Sequence, residues 1–269
     1  MDSLKNKTVV LTGASRGLGA VMARALAAEG ADLMLAARSA DKLAEVAKSL
    51  PAGTRVLTQP TDVTLVADRS SLIARARSEF KHIDVFINNA GVEDLGHYAQ
   101  QEPAVLQRII ETNLLAPMLL AREVLPEMLK RRSGHLVNIA SLAGRTGMPF
   151  GAAYSGSKGG LAEWSISLAA EFRDSGVSVS VICPGFVDET GMFSRKQAAA
   201  PRSIGVSHPA DVAAAVVKVL RTRKVEVVVN PKPVRLLMAL KALSPEAALA
   251  VGRRLGLIDF LRRISTHIE

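Results

Sequence analysis

The chain has 269 residues, 48% of them hydrophobic and only 4% aromatic, with a formal charge of +9. That length suits one α/β domain with a sizeable core. Its single cysteine, Cys183, excludes an internal disulfide, and the five histidines (His82, His97, His135, His208, His267) show no zinc-type spacing, so no metal is expected. The N-terminus MDSLKNK carries no apolar signal region, and no uninterrupted apolar run approaches a membrane-spanning length, so the cytoplasm is the expected compartment.

Lys7 to Thr12 (KTVVLT) is a short β-branched, apolar run, the pattern of a strand buried on both faces. Ala20 to Glu29 (AVMARALAAE) is rich in strong helix formers. The turn between them, Thr12-Gly13-Ala14-Ser15-Arg16-Gly17-Leu18-Gly19, therefore lies where a strand becomes a helix. Unpaired N–H groups and the positive end of the helix dipole attract a pyrophosphate at such a place. Gly13 permits the tight turn, and the missing side chains at Gly17 and Gly19 let backbone and ligand approach. Three glycines can also form a plain turn; the flanking strand and helix argue for the phosphate cradle.

The second strand, Ala31 to Ala37 (ADLMLAA), ends in Arg38. An NAD-preferring fold places an acid here, about 20 residues beyond the glycines, to grip the ribose 2′-hydroxyl. No carboxylate stands near Ala37, whereas Arg38 follows at once and Arg16 lies in the turn. Paired guanidinium donors match a 2′-phosphate, so NADP(H) is expected over NAD(H). The alternative is that Arg38 is a solvated charge at a strand end.

Gly134 to Ala140 (GHLVNIA) reads as another strand, so Ser141 falls at its carboxyl end, where open parallel sheets bind ligands. Ala152 to Glu171 reads as a helix, and Tyr154 and Lys158, four positions apart, share one of its faces. A free tyrosine has a pKa of about 10, which a neighbouring ammonium, together with the positive nicotinamide of an oxidised cofactor, lowers by favouring the phenolate. Ser141 can hold a substrate oxygen while Tyr154 gives or takes its proton. A Tyr-x-x-x-Lys pair alone is common. Its ordered combination with Ser141 and the glycine turn makes hydride exchange with a carbonyl compound the expected chemistry.

These pieces, with Asp62-Val63, Asn88-Asn89-Ala90-Gly91, Asn113 and Pro184-Gly185 in the same order, resemble the short-chain dehydrogenase/reductase family over roughly residues 4 to 230. The resemblance implies an α/β fold: a Rossmann-type doubly wound parallel sheet of about seven strands in a single domain, binding a nicotinamide cofactor. It implies that Ser141 positions the carbonyl, that Tyr154 is the general acid/base, and that Lys158 binds the nicotinamide ribose and lowers the tyrosine pKa. Asn113 would hold a water relaying protons to Lys158. Asp62, with Val63 beside it, would bond the adenine amino group, and Asn89, Ala90 and Gly91 would pack beside the adenosine. Ser15, Arg16 and Leu18 belong to the cradle, and Pro184, Gly185 and Val187 to the nicotinamide side. Two departures stand out. Val187-Asp188-Glu189-Thr190 has two residues where the family commonly has one before the threonine that touches the carboxamide, and Ala140 replaces a serine that often precedes Ser141.

Apolar runs recur near Val9, Leu33, Val56, Val85, Val137, Val179 and Val227, separated mostly by helix-length segments, which argues for βαβ units. The expected organisation is a dinucleotide-binding catalytic domain over residues 1–230 and a helical extension over 231–269, packed on it or on a partner surface. Cys183 reads as a buried small hydrophobe, with a reactive thiol the lesser alternative. Phe186, Met192 and Phe193 are apolar substrate-loop candidates, with Met148 and Phe150 as an opposite wall. They suggest a hydrophobic substrate, though the same residues could simply close the loop over the cofactor. The resemblance also implies a homodimer or homotetramer, paired through the helices before Arg132 and after Gly151.

Residues 201–269 contribute +7 of the formal charge, from twelve Lys/Arg against five Asp/Glu. In the last segment Leu257, Phe260, Leu261 and Ile264 follow helical spacing beside Arg262 and Arg263. This basic extension could dock on its own domain or a sister subunit, meet an anionic membrane surface, or attract an acidic carrier or substrate. No nucleic-acid module accompanies it, so nucleic acid is not an expected partner. The expected function is NADP(H)-dependent interconversion of a ketone or aldehyde and an alcohol, on a 3-oxoacyl thioester or a lipid- or steroid-like substrate. A non-catalytic nucleotide sensor or a membrane-surface binding protein on the same fold is the alternative.

Overall fold

A computed structural model describes residues 3–188 and 205–266. All seven apolar runs are strands: β1 (Thr8–Thr12), β2 (Asp32–Ala37), β3 (Val56–Pro60), β4 (Val85–Asn88), β5 (Gly134–Ile139), β6 (Val177–Pro184) and β7 (Glu226–Val229). They form one parallel sheet in the order β3-β2-β1-β4-β5-β6-β7. The inner strands β1 and β4 are buried at every position because both faces are covered, whereas the edge strands β3 and β7 are only partly buried. Val9 and Leu11 enter one core cluster and Val10 the other, as the two-residue repeat of a strand requires.

One layer contains α1 (Gly17–Ala28), α2 (Ala40–Lys48) and α8 (Pro209–Thr222), whose Met22, Leu26, Leu43, Val212, Val216 and Val219 pack on the sheet. The other contains α3 (Val66–Phe80), α5 (Ala116–Lys130) and α7 (Ala152–Glu171), through Leu72, Ile73, Leu120, Val124 and Met128, with Trp164 and Leu168 at the edge. Strand order reverses between β1 and β4. The connections leave in opposite directions there and open a crevice at the carboxyl ends of the strands.

Helix α4 (Pro103–Ile110) runs into α5 through a π-turn at Glu111–Leu115. The continuous rod Pro103–Lys130 is long and apolar enough, by length and composition, to cross a membrane. Here it is a layer helix: its inner stripe is buried against β4 and β5, and Arg108, Glu111, Arg122 and Glu123 interrupt it. Beyond β7 the chain forms α9 (Arg235–Leu243), α10 (Pro245–Arg254) and α11 (Leu257–Thr266), with α6 (Ala143–Thr146) beneath. Lys241 Nζ donates to the Arg145 carbonyl at 2.9 Å, which ties α9 to α6. Of the open readings of the last segment, docking on its own domain is what the fold contains. Phe260, Leu261 and Ile264 are at most 2% exposed, in a cluster with Leu95 that Met148, Phe150 and Phe186 flank.

Candidate active site

The β1–α1 turn is held to β4 by one fully used hydroxyl. Thr12 Oγ1 donates to the Ile87 carbonyl and accepts from the N–H groups of Asn89 and Ala90. Asn89 Nδ2 returns two bonds, to the carbonyls of Thr12 and Gly13. Gly13 has φ +66, and a Cβ there would lie 2.8 Å from the Ala90 Cα, so no side chain fits. A Cβ at Gly19 would strike the Gly13 carbonyl. Gly19 therefore clears space for the turn's own backbone rather than for a ligand, a correction to the sequence reading. Helix α1 starts at Gly17, three residues earlier than the helix formers suggested, with no side-chain cap and no acid in its first turn. Its first N–H groups are thus left for an anion.

Past the end of β2, Arg38 is exposed and its charge reaches Asp62. Burial alone would raise the Asp62 carboxyl. Hydrogen bonds from Thr64 N (3.0 Å) and Oγ1 (2.7 Å), with Arg38, outweigh it and hold the group below its ordinary range. Ser39 and Lys42 join Arg16 and Arg38 in lining this end of the crevice. Sequence reading missed both. Ser39 is legible only as the cap of α2, where its Oγ accepts from Lys42 N.

On the other side of the switch point, a buried chain fixes α7 to the sheet. Asn88 Nδ2 donates to Asn138 Oδ1, Asn138 Nδ2 to Ser165 Oγ, and Ser165 Oγ to the Leu161 carbonyl, each within 2.8 Å. Tyr154 and Lys158 stand on the first turns of α7, 7% and 4% exposed. Lys158 Nζ donates to the Ile139 carbonyl at 2.8 Å. The Tyr154 phenol lies near enough to Ser141 to feel its hydroxyl, and Ser141 Oγ accepts from Ala143 N at 3.1 Å. Ser141, Tyr154 and Lys158 are thus brought together as the spacing predicted.

Their ionisation is not as predicted. Burial first, and the nearby Glu93 carboxylate second, push the Tyr154 phenol above its ordinary value, against a smaller lowering by Ser141. Burial likewise lowers Lys158 to about 8. The expectation that the ammonium depresses the phenol does not hold in the cofactor-free chain, because desolvation disfavours both charged forms. Glu93, which lines the cavity, was not singled out from sequence. No pattern marks it, since its role depends on which residues the β4–α4 segment faces.

Asn113 sits on the π-turn, fully buried, and does not line the cavity. Its Oδ1 accepts from Val92 N and its Nδ2 donates to the Val92 carbonyl, both at 2.8 Å, and to Ser157 Oγ at 3.1 Å. The side chain thus clamps the segment after Gly91 onto α7. A Cβ at Gly91 would meet Asn113 Oδ1 at 3.2 Å and Lys158 Nζ at 3.4 Å.

The apolar wall differs from the expected one. Phe186 and Met148 line the cavity, joined by Leu95, Leu257, Leu261 and Ile264. Phe150 does not. It holds a left-handed φ of +63 and turns its ring edge-on to His97, behind the wall. Val187 lines the cavity and pairs with Ser207, while Thr190, Met192 and Phe193 lie outside the described residues. Cys183 is buried beside Glu226, and burial pushes its thiol up to about 12, as a small core residue rather than a reactive one.

Gly13 to Gly19, Arg38, Asp62, Val63, Asn89 to Gly91, Ser141, Tyr154, Lys158, Pro184 and Gly185 border one cavity of about 1070 Å³ (Ala14 excepted). A glycine turn on open helix N–H groups, a cationic end and a buried phenol at the other end fit a nicotinamide dinucleotide. Fold and cavity define a dinucleotide-binding oxidoreductase of the doubly wound class. The chain belongs to the short-chain dehydrogenase/reductase family: residues 7–201 match the family model described as short chain dehydrogenase. It is similar to "Ketoacyl reductase HetN" of Nostoc sp. (strain PCC 7120), with 43% identity over 97% of this chain and 93% of that protein. It is 35% identical to "Dehydrogenase/reductase SDR family member 7B" of Bos taurus, over 90% of this chain and 79% of that one. Its fold matches a crystal structure of an actinorhodin polyketide ketoreductase variant with NADPH, at a TM-score of 0.76 and 27% identity, over 86% of this chain and 98% of that one. The protein is an oxidoreductase acting on CH–OH and C=O groups with a nicotinamide cofactor.

Proposed function

We propose that the protein is an NADP(H)-dependent reductase of an apolar carbonyl compound, a 3-oxoacyl thioester or a lipid-like ketone. The observation that carries this reading is that Ser141, Tyr154 and Lys158 line one cavity, with Lys158 one helical turn from Tyr154, opposite an apolar wall. A bound nicotinamide supplies or accepts the hydride. Ser141 orients the substrate oxygen, and Tyr154 gives that oxygen its proton. Burial keeps the phenol protonated, the form that donates, and this supports reduction as the working direction. Lys158 stabilises the phenolate left behind, and Asn113 positions the Val92 segment and Ser157 around it.

Arg16, Arg38, Ser39 and Lys42 at one end of the cavity support recognition of a 2′-phosphate by paired donors. Leu95, Met148, Phe186, Leu261 and Ile264 support an apolar substrate, and the ketoacyl reductase relative and the polyketide ketoreductase neighbour support the thioester class. Ile110, Leu115, Met118 and Leu119, all 36–45% exposed on the α4–α5 rod, support pairing of two copies through these helices.

The test follows NADPH and NADH absorbance with apolar ketones, aldehydes and 3-oxoacyl thioesters. NADPH consumption well ahead of NADH, abolished in Tyr154→Phe, is the expected result. Preference for NADH would overturn the cofactor assignment, and undiminished turnover in Tyr154→Phe the proton-donor assignment.

A further inference from the structure

Helices α9 and α10 meet without a linker at Ser244, the C-terminal cap of one and the N-terminal cap of the other. Its Oγ accepts from Ala247 N at 3.2 Å. Along α9 and the residues before it, the exposed positions include Lys232, Arg235, Leu236, Ala239, Ala242 and Leu243; along α10 they include Glu246, Leu249, Ala250, Arg253 and Arg254. Spacings of three and four place each set on one helical stripe. Leu236, Leu243 and Leu249 are 79%, 87% and 58% exposed. Large side chains left this bare in succession mark a surface that meets something.

The charge pattern says what. Residues 231–254 hold five Lys/Arg and one acid, Glu246. Lys241 is spent on the Arg145 carbonyl. Lys232, Arg235, Arg253 and Arg254 make no ion pair among the described residues. In chain order these four flank the leucines, Lys232 and Arg235 just before Leu236 and Arg253 and Arg254 after Leu249, and Leu243 stands at the joint itself. An acidic protein would be met by cations interleaved with the leucines. A bilayer is instead layered, with anionic headgroups outside and acyl chains inside, and matches apolar residues segregated from cations.

We propose that the outer faces of α9 and α10 dock on an anionic lipid surface, with Leu236, Leu243 and Leu249 entering the interface and Lys232, Arg235, Arg253 and Arg254 on the headgroups. The apolar face of α11 takes no part, being buried on its own domain. Leu237 of α9 and Gly252 of α10, with the flanking Val234 and Leu255, line the active-site cavity, so the docked face adjoins its mouth. Only the consequence that a bilayer-dissolved ketone reaches Tyr154 by this route rests on the reading of the chemistry above; the docking does not.

The experiment is co-sedimentation of the full chain with vesicles of phosphatidylcholine plus phosphatidylglycerol, or of phosphatidylcholine alone. The wild type is expected to pellet with the anionic vesicles, at least about tenfold more strongly than with the neutral ones, and to be released by salt. Leu236→Glu with Leu243→Glu is expected to abolish pelleting while leaving turnover of a water-soluble ketone and the hydrodynamic size unchanged. If that variant does not fold, Arg253→Ser with Arg254→Ser is expected to weaken anionic-vesicle binding and its salt dependence. Failure of the wild type to pellet, equal pelleting of the leucine variant, or breakdown of an oligomer by it would overturn the proposal. The last result would mean that a second copy covers the leucines. Pelleting is read without turnover, so an inactive preparation does not obscure it.

Discussion

Lys158 Nζ donates to the carbonyl of Ile139, 2.8 Å away, and so joins the face of α7 that carries Tyr154 to the last residue of β5. The bond orients an ammonium that burial has made expensive. Folding lowers its pKa from an ordinary 10.5 to about 8, so the unfolded chain holds more protons between those values. Below pH 8 the folded chain carries a buried charge, and its cost disappears as pH rises through that window.

Lys158→Met therefore stabilises the cofactor-free protein at neutral pH. The relieved desolvation is about 3 kcal/mol, less about 1 kcal/mol for the lost bond to a buried carbonyl. A rise in Tm of roughly 5 °C at pH 7, vanishing near pH 10 and turning to a small fall above it as only the lost bond remains, is expected in thermal melts, together with loss of turnover. A lower Tm at pH 7 would contradict the burial argument.

Glu93→Gln removes a carboxylate that raises the Tyr154 phenol. The alkaline limb of kcat/KM for carbonyl reduction, where the proton donor is lost, is expected to move to lower pH. An unmoved profile would mean that Glu93 does not face the phenol.

Phe260 meets Phe186 edge-on, with ring centroids 5.7 Å apart, and is 1% exposed. Phe260→Ala removes a side chain whose truncation in a core costs about 3–5 kcal/mol. A terminal helix held by few other contacts undocks before the domain unfolds. Faster hydrogen exchange confined to residues 257–266 is expected, with KM for an apolar substrate raised about tenfold or more, corresponding to at least one lost apolar contact. KM for NADPH is expected to stay as it was.

Arg38→Ser is expected to raise KM for NADPH by about 10–100-fold and to leave KM for NADH within about twofold, since a charged hydrogen bond to phosphate is worth about 1.5–3 kcal/mol. An equal effect on both would return Arg38 to the solvated charge that the sequence also allowed.

His135 Nε2 lies 2.8 Å from Ser180 Oγ, and the Ser180 hydroxyl spends its one proton on the Lys224 carbonyl. The imidazole must therefore donate from Nε2. Burial holds its pKa near 3 against an ordinary 6.5, so the unfolded chain binds the extra proton in between, and stability falls as pH drops through that range. The loss is about 4 kcal/mol by pH 3. His135→Gln keeps the donor without the titration, and denaturant melts are expected to show a flatter acid limb.

The part legible from residue order alone is local. Short runs rich in β-branched and apolar residues, separated by helix-length segments, read as strands, so all seven sheet positions were legible from Val9 to Val227. A glycine turn between strand and helix, and a tyrosine and lysine four apart on a helix, need only short-range geometry, so the cradle and the Ser141–Tyr154–Lys158 grouping were legible too. What only the tertiary structure decided involves partners distant in the chain. The Tyr154 phenol rises rather than falls because the fold excludes water from it and brings the Glu93 charge within reach of it. Phe150 leaves the wall because its ring meets His97, and Asn113 becomes a clamp because Val92 and Ser157 close on it. The amphipathic pattern of α11 required an apolar partner surface without naming one. Leu95, Met148 and Phe186 supply it, and so convert a basic tail into a wall of the active site. A periodic sequence states which face of a helix must be buried; only the assembled chain states against what.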